Sequence, residues 1–158
     1  MNTLNAGDKA PLFTLNDQNG DPVSLETCLK TSQVLVYFYP KAMTPGCIVQ
    51  AEGIRDSKEA LAQLNVKVIG ISPDPVKKLA NFCEKKSLNF TLVSDEDHQV
   101  ADQFGVWGEK KFMGKVYDGI HRLSFLINQD GTIAHLFNKF KTKDHHEKVI
   151  EFVKNQNA

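Results

Sequence analysis

The sequence predicts an α/β fold: a mixed central β-sheet flanked by helices, with a β-hairpin at its N-terminal end. Three observations lead there. Short β-branched and aromatic runs alternate with helical periodicity between Val34 and Phe104, two apolar runs flank Asn128-Gln129-Asp130-Gly131 near the C-terminus, and two short alternating runs flank a turn-rich segment near the start. Alternation of strand and helix implies parallel neighbours, and the late pair adds antiparallel ones.

Residues Phe13-Thr14-Leu15 and Val23-Ser24-Leu25 around Asp17-Gln18-Asn19-Gly20-Asp21-Pro22 form the expected N-terminal hairpin. Val34 to Tyr39 reads as a buried strand stopped by Pro40, which has no N–H to give to a ladder. Thr44 suits an N-cap and Pro45 the first helical position, so Cys47 falls at the third. There unpaired backbone N–H groups and the positive end of the helix favour an anion, and a thiolate is one. Cys47, Ala51, Ile54, Leu61 and Leu64 recur at helical spacing, with Gly53 as an interruption. Val66 to Ile71 is the next strand. Asp74 and Pro75 then cap and open a helix to about Lys86, in which Val76, Leu79, Ala80 and Cys83 share a face. Phe90 to Val93 is a strand, Asp97 to Phe104 a short helix, and Gly105 to Gly119 a long loop whose Trp107 and Phe112 either line a pocket or, as isolated aromatics more often do, anchor it. Arg122 to Ile127 and Thr132 to Phe137 make the late hairpin, and Asp144 with Glu147 forms a capping box for the last helix.

A chain of 158 residues suits one domain spanning residues 1–158. With 19 Lys plus Arg against 19 Asp plus Glu and no long basic run, nucleic acid is not an expected partner. The first residues lack the pattern of a signal peptide and no apolar stretch is long enough to span a membrane, so a cytoplasmic protein is expected. Three cysteines without an export signal point to reduced or redox-active thiols rather than a disulfide framework.

Phe38-Tyr39-Pro40-Lys41-Ala42-Met43-Thr44-Pro45-Gly46-Cys47, Ser94-Asp95-Glu96, Gly105-Val106-Trp107-Gly108 and Arg122-Leu123-Ser124-Phe125-Leu126-Ile127 together resemble the thiol peroxidases called peroxiredoxins, in their bacterioferritin-comigratory or Q-type branch. The resemblance covers nearly the whole chain. It implies a thioredoxin-like fold, reduction of hydroperoxides, Cys47 as the peroxidatic thiol with Pro40, Thr44 and Arg122 as its support, no cofactor, and a monomer. An unshifted thiol is about 3% ionised at pH 7, so ionisation alone can raise its rate by no more than about thirtyfold. The rest must come from aligning the peroxide and stabilising the departing oxygen.

Many members of that branch carry a second cysteine five positions after the first, and here that position is Glu52. Other members place the resolving thiol in the next helix, and the resemblance then implies Cys83, with thioredoxin or a similar dithiol reducing the disulfide. Periodicity alone gives Cys83 as a small core residue, and a cycle using only Cys47 stays open. Cys28 matches no motif and reads as structural. A thioredoxin-like disulfide reductase would want a second cysteine where Thr44 stands. A zinc module lacks ligand spacing, because His145 and His146 are adjacent on a helix and diverge as solvated residues.

Overall fold

The computed structural model describes residues 1–157. Strands β1 (Thr14–Asn16) and β2 (Pro22–Ser24) pair antiparallel, as the turn-rich segment between them requires. Helix α1 (Leu25–Leu29) follows at once, with the Ser24 hydroxyl accepting from Thr27 N at its start. Sequence periodicity did not reveal this helix, because its single turn is too short to establish a period.

The central sheet has the order β5-β4-β3-β8-β9. Strands β3 (Gln33–Phe38), β4 (Val66–Ser72) and β5 (Thr91–Ser94) run parallel, while β8 (Ser124–Ile127) and β9 (Ile133–Phe137) join antiparallel on the other side of β3. The strand period of two divides the core. Val34, Val36 and Phe38 pack with Ile69, Ile71, Phe125 and Ile127 on one face, under α1 and α5 (Gln99–Phe104). Leu35, Tyr37 and Tyr39 pack with Val68 and Leu126 on the other, under α2 (Pro45–Asp56), α3 (Lys58–Gln63), α4 (Val76–Lys86) and α6 (His145–Gln156). Cys47 and Cys83 both belong to this second face, whereas Cys28 packs on the first.

Several local expectations need correction. The segment expected to be a loop from Gly105 to Gly119 holds strands β6 (Trp107–Phe112) and β7 (Lys115–Ile120), paired antiparallel through a turn at Met113 and Gly114, both with positive φ. Trp107 does anchor this ribbon, its ring stacked on His98 at 3.8 Å, but Phe112 is exposed near the tip. The helix after Cys47 breaks at Ser57, not at Gly53. Gly53 serves a different purpose: a β-carbon there would lie 2.9 Å from His146 Cε1, so the glycine lets α2 seat closely on α6. Helix α4 begins one residue later than expected, with Pro75 at the cap, because the Asp74 carboxylate bonds elsewhere. Helix α5 starts at Gln99 rather than Asp97, and it is Asp95 that accepts from Val100 N and Ala101 N. The capping box of α6 is not made; Asp144 accepts from Lys141 N instead.

Candidate active site

Strand β3 delivers the chain to the site. After Tyr39, whose N–H donates to Ile71 O at 3.0 Å, Pro40 ends the ladder and residues 41–44 turn back toward the start of α2. Met43 adopts a left-handed conformation with φ of 67°. Thr44 occupies the cap position with extended backbone, and Pro45 follows, as expected. Its hydroxyl is not a cap, however: Thr44 Oγ1 donates to Lys41 O at 2.8 Å and makes no bond to the helix. Thr44 thus closes the turn that precedes α2, one helical turn from Cys47.

Cys47 is buried, with 2% of its surface accessible. It is not sealed in hydrocarbon. Arg122 Nη2 lies 3.4 Å from Cys47 Sγ, and Arg122 Nη1 donates to Gln50 Oε1 at 2.6 Å. Gly46 lies against the guanidinium, where a β-carbon would stand in ordinary contact at 3.4 Å from Nη2. Arg122 precedes β8 instead of beginning it, and the segment from Ile120 to Leu123 carries it across the sheet toward α2. Helix start and guanidinium together put positive potential at one sulfur.

A second cation is close. Lys110 of β6 donates to Ile120 O at 2.7 Å, and its ammonium titrates below the usual lysine range because of burial and the neighbouring Arg122, with Cys47 opposing. Beneath the site the Tyr37 and Tyr39 rings lie tilted against each other with centroids 5.5 Å apart, and burial holds both phenols above their ordinary range. Ser124 Oγ and His145 Nε2 share a hydrogen bond of 2.7 Å in the interior. His145 is therefore no solvated helix residue. Burial, then His146 and Arg122, lower its pKa to about 3. His146 turns the other way, toward Gly53.

Cys83 lies on α4 against the same apolar cluster, half-buried, and all three cysteines are unbonded. Burial raises its thiol to about 11, with Asp17 adding to the rise. Pro40, Thr44, Cys47 and Arg122 are therefore gathered around one turn and helix start, while Cys83 sits on the neighbouring helix without a cation. Among the described residues no group of three or more His, Cys, Asp or Glu is arranged to hold a metal, and no helix is long and apolar enough to cross a membrane.

This geometry has counterparts. Residues 6–136 match the AhpC/TSA family. Peroxiredoxin Bcp of Escherichia coli (strain K12) is 61% identical over 154 residues, covering 98% of this chain and 98% of the relative. The chain belongs to the AhpC/TSA family, as a peroxiredoxin. The crystal structure of peroxidoxin BcpB from Mycobacterium tuberculosis superposes with a TM-score of 0.86 at 34% identity, over 96% of this chain and 97% of that one. A structure of the Xanthomonas campestris bacterioferritin comigratory protein, studied for its alkyl peroxide reduction activity, gives 0.85 at 29% identity over 92% of each chain. The thioredoxin-like architecture expected of a peroxiredoxin is the one observed.

Sequence reasoning missed Gln50, Lys110, Asp74 and the Ser124–His145 pair of this peroxiredoxin. Gln50 carried a signal. It stands three residues after Cys47 in the stripe Cys47, Gln50, Ala51, Ile54, all buried, and a glutamine on an apolar stripe needs a polar partner. Lys110 and His145 carried none, because nothing in their neighbourhoods distinguishes a half-buried cation or a buried imidazole from a solvated one.

Proposed function

We propose that this peroxiredoxin reduces hydrogen peroxide and organic hydroperoxides through Cys47, as one domain acting as a monomer in a reducing, cytoplasmic setting. The observation that carries the reading is the Arg122 guanidinium 3.4 Å from Cys47 Sγ, fixed on its other nitrogen by Gln50. A guanidinium so held neutralises the thiolate before reaction and offers donors to the peroxide oxygens during it. The Cys47 thiolate attacks the outer peroxide oxygen, an S–O bond forms as the O–O bond breaks, and the departing alkoxide takes a proton to leave as alcohol or water. Sulfur is oxidised to sulfenic acid by two electrons. Thr44 and Pro40 shape the turn that presents the sulfur and limit water around it.

In the second half, Cys83 sulfur displaces hydroxide from the Cys47 sulfenic acid, giving a disulfide and water, and thioredoxin or a similar dithiol returns both thiols. Cys83 is held by burial at about 11, so few molecules carry its thiolate at neutral pH while α4 stays packed. Local opening of α2 or α4 relieves that burial and brings the sulfurs into bonding geometry. The same raised thiol is the one observation that favours a second reading, in which an external thiol resolves Cys47 directly. Intact-mass analysis after one equivalent of peroxide, with peptide mapping, separates them. A mass loss of two hydrogens with a Cys47–Cys83 linked peptide supports the first; persistent sulfenic acid on Cys47 supports the second; no oxidation of Cys47 overturns both. Cys28, across the sheet from both thiols, stays outside the cycle.

A further inference from the structure

Among the described residues, residues 40–44 have a single hydrogen bond to an element other than the helix they lead into. The Thr44 hydroxyl bonds within the turn and Thr44 O accepts within α2 from Ile48 N. Pro40 has no N–H to give. Only Ala42 N reaches a separate element, donating to Asp74 Oδ2 at 2.7 Å. The turn includes Met43 in a left-handed conformation, which a residue with a β-carbon adopts at some strain, so something outside must hold it.

Asp74 is well placed for that task. It is 5% exposed, and the same Oδ2 accepts from Ser72 Oγ at 2.9 Å. Its carbonyl accepts from Ser94 Oγ at 2.6 Å, and Ser72 O accepts from Asp95 N at 2.9 Å. The carboxylate is thereby tied to the end of β4, and the main chain of the same residue to the end of β5. It also directly precedes Pro75, the cap of α4, the helix that carries Cys83. One buried carboxylate therefore joins the turn leading to Cys47 with the root of the helix bearing Cys83.

We propose that Asp74 is a positioning residue that sets the balance between the two halves of the cycle: its bond to Ala42 N holds the Cys47 turn in the form that meets peroxide, and breaking that bond is part of the opening that lets a thiol reach the sulfenic acid. This rests on the function proposed above and deepens it. The bond acts in opposite directions on the two steps. While it holds, the turn and the start of α2 are ordered for attack on peroxide, and the sulfenic acid waits. A waiting sulfenic acid can meet a second peroxide, which inserts a further oxygen, giving sulfinic acid and releasing alcohol or water. Weakening the bond slows the first reaction, speeds disulfide formation and protects against sulfinic acid.

The test compares wild type, Asp74→Asn and Asp74→Ala by rapid quench with alkylation and intact mass. Peroxide consumption by Cys47 gives the first step, and loss of sulfenic acid, to an internal disulfide or to added thiol, gives the second. With Asp74→Ala, removal of a charge-assisted bond is expected to slow the first step about tenfold and to accelerate the second about tenfold. Asp74→Asn keeps an acceptor oxygen and falls between. The peroxide concentration that converts half of Cys47 to sulfinic acid rises in the same order. A residue serving only to stabilise the fold would slow both steps or neither, and either result overturns the proposal. Where Asp74→Ala fails to fold, amide hydrogen exchange on the wild type decides: Ala42 N–H is expected to be protected in the reduced form and to lose protection on oxidation, and free exchange in the reduced form overturns the idea. If wild type does not oxidise at Cys47 the proposed function falls; if it does and the Asp74 variants keep wild-type rates, only this inference falls.

Discussion

Cys47 and Cys83 share one face of one sheet and one apolar cluster, yet their surroundings differ in the way the two tasks proposed for them require. Cys47 is the more buried, but it stands in the first turn of α2 with a guanidinium at 3.4 Å. Cys83 is only half-buried, lies two turns into α4, and has a carboxylate, Asp17, as its charged neighbour. Burial alone would rank the two thiols opposite to the roles proposed for them. The charge beside the sulfur and its place along a helix decide what each thiol can do.

The strongest break of this comparison is to exchange the sulfurs for oxygens. Cys47→Ser is expected to abolish peroxide consumption, whereas Cys83→Ser keeps the first step within about twofold and loses thioredoxin-linked turnover, since serine there cannot form the disulfide. Rapid-mixing kinetics with one and with many equivalents of peroxide measure both, and normal multiple turnover in the Cys83 variant would remove it from the cycle.

Removing the charge at Cys47 comes next. Arg122→Met is expected to slow the first step by about a hundredfold or more at pH 7, because it deletes both the counter-ion of the thiolate and a donor to the peroxide. An effect below about thirtyfold would mean that ionisation alone accounts for its contribution. Gln50→Ala leaves the guanidinium charge in place and frees its orientation, so about a tenfold loss is expected, seen in the rate constant and not in the pH at which the rate is half-maximal. A shifted pH profile would show instead that Gln50 acts on the thiol itself.

A last effect concerns stability beneath the site rather than rate. His145 is held neutral, its pKa lowered from 6.5 to about 3 by burial. The unfolded chain binds this proton near pH 6.5 and the folded chain does not until about 3, so stability is full above the first value and declines as pH falls between them. The expected slope from this group is about 1.4 kcal/mol per pH unit. Urea unfolding at pH 7, 5 and 4 measures it, and His145→Asn should flatten the dependence; an unchanged slope would assign it to other groups.

The legible parts of the sequence were those with a buried face. Strands β3, β4 and β8 announce themselves because Val, Ile and Phe fill both sides of a covered sheet, and the turn into α2 is marked by Pro40, Thr44 and Pro45. The β6–β7 ribbon was not legible because it stands outside the core: Lys111, Phe112, Val116 and Tyr117 are exposed, and Met-Gly is not a signature of the turn that joins them. Cys47 could be placed from its helix position, but Arg122 is 75 residues away along the chain and came only from the resemblance. His145 was misread because helical position says nothing of what lies opposite, here Ser124 and Tyr37 from two strands. Asp74 looked like a cap, and a carboxylate before a proline at a helix start offers no sign that its oxygen faces a turn 32 residues earlier.

The close seat of α2 on α6 carries a consequence for tolerated variation. Because the His146 ring occupies the space of an absent side chain at Gly53, the two positions are coupled in size, and an alanine at 53 requires the ring to shift or a smaller residue at 146. The glycine that looks like a weak point in the helix is the spacer that sets how closely α2 lies on α6, and the double exchange should recover the stability that the single one loses.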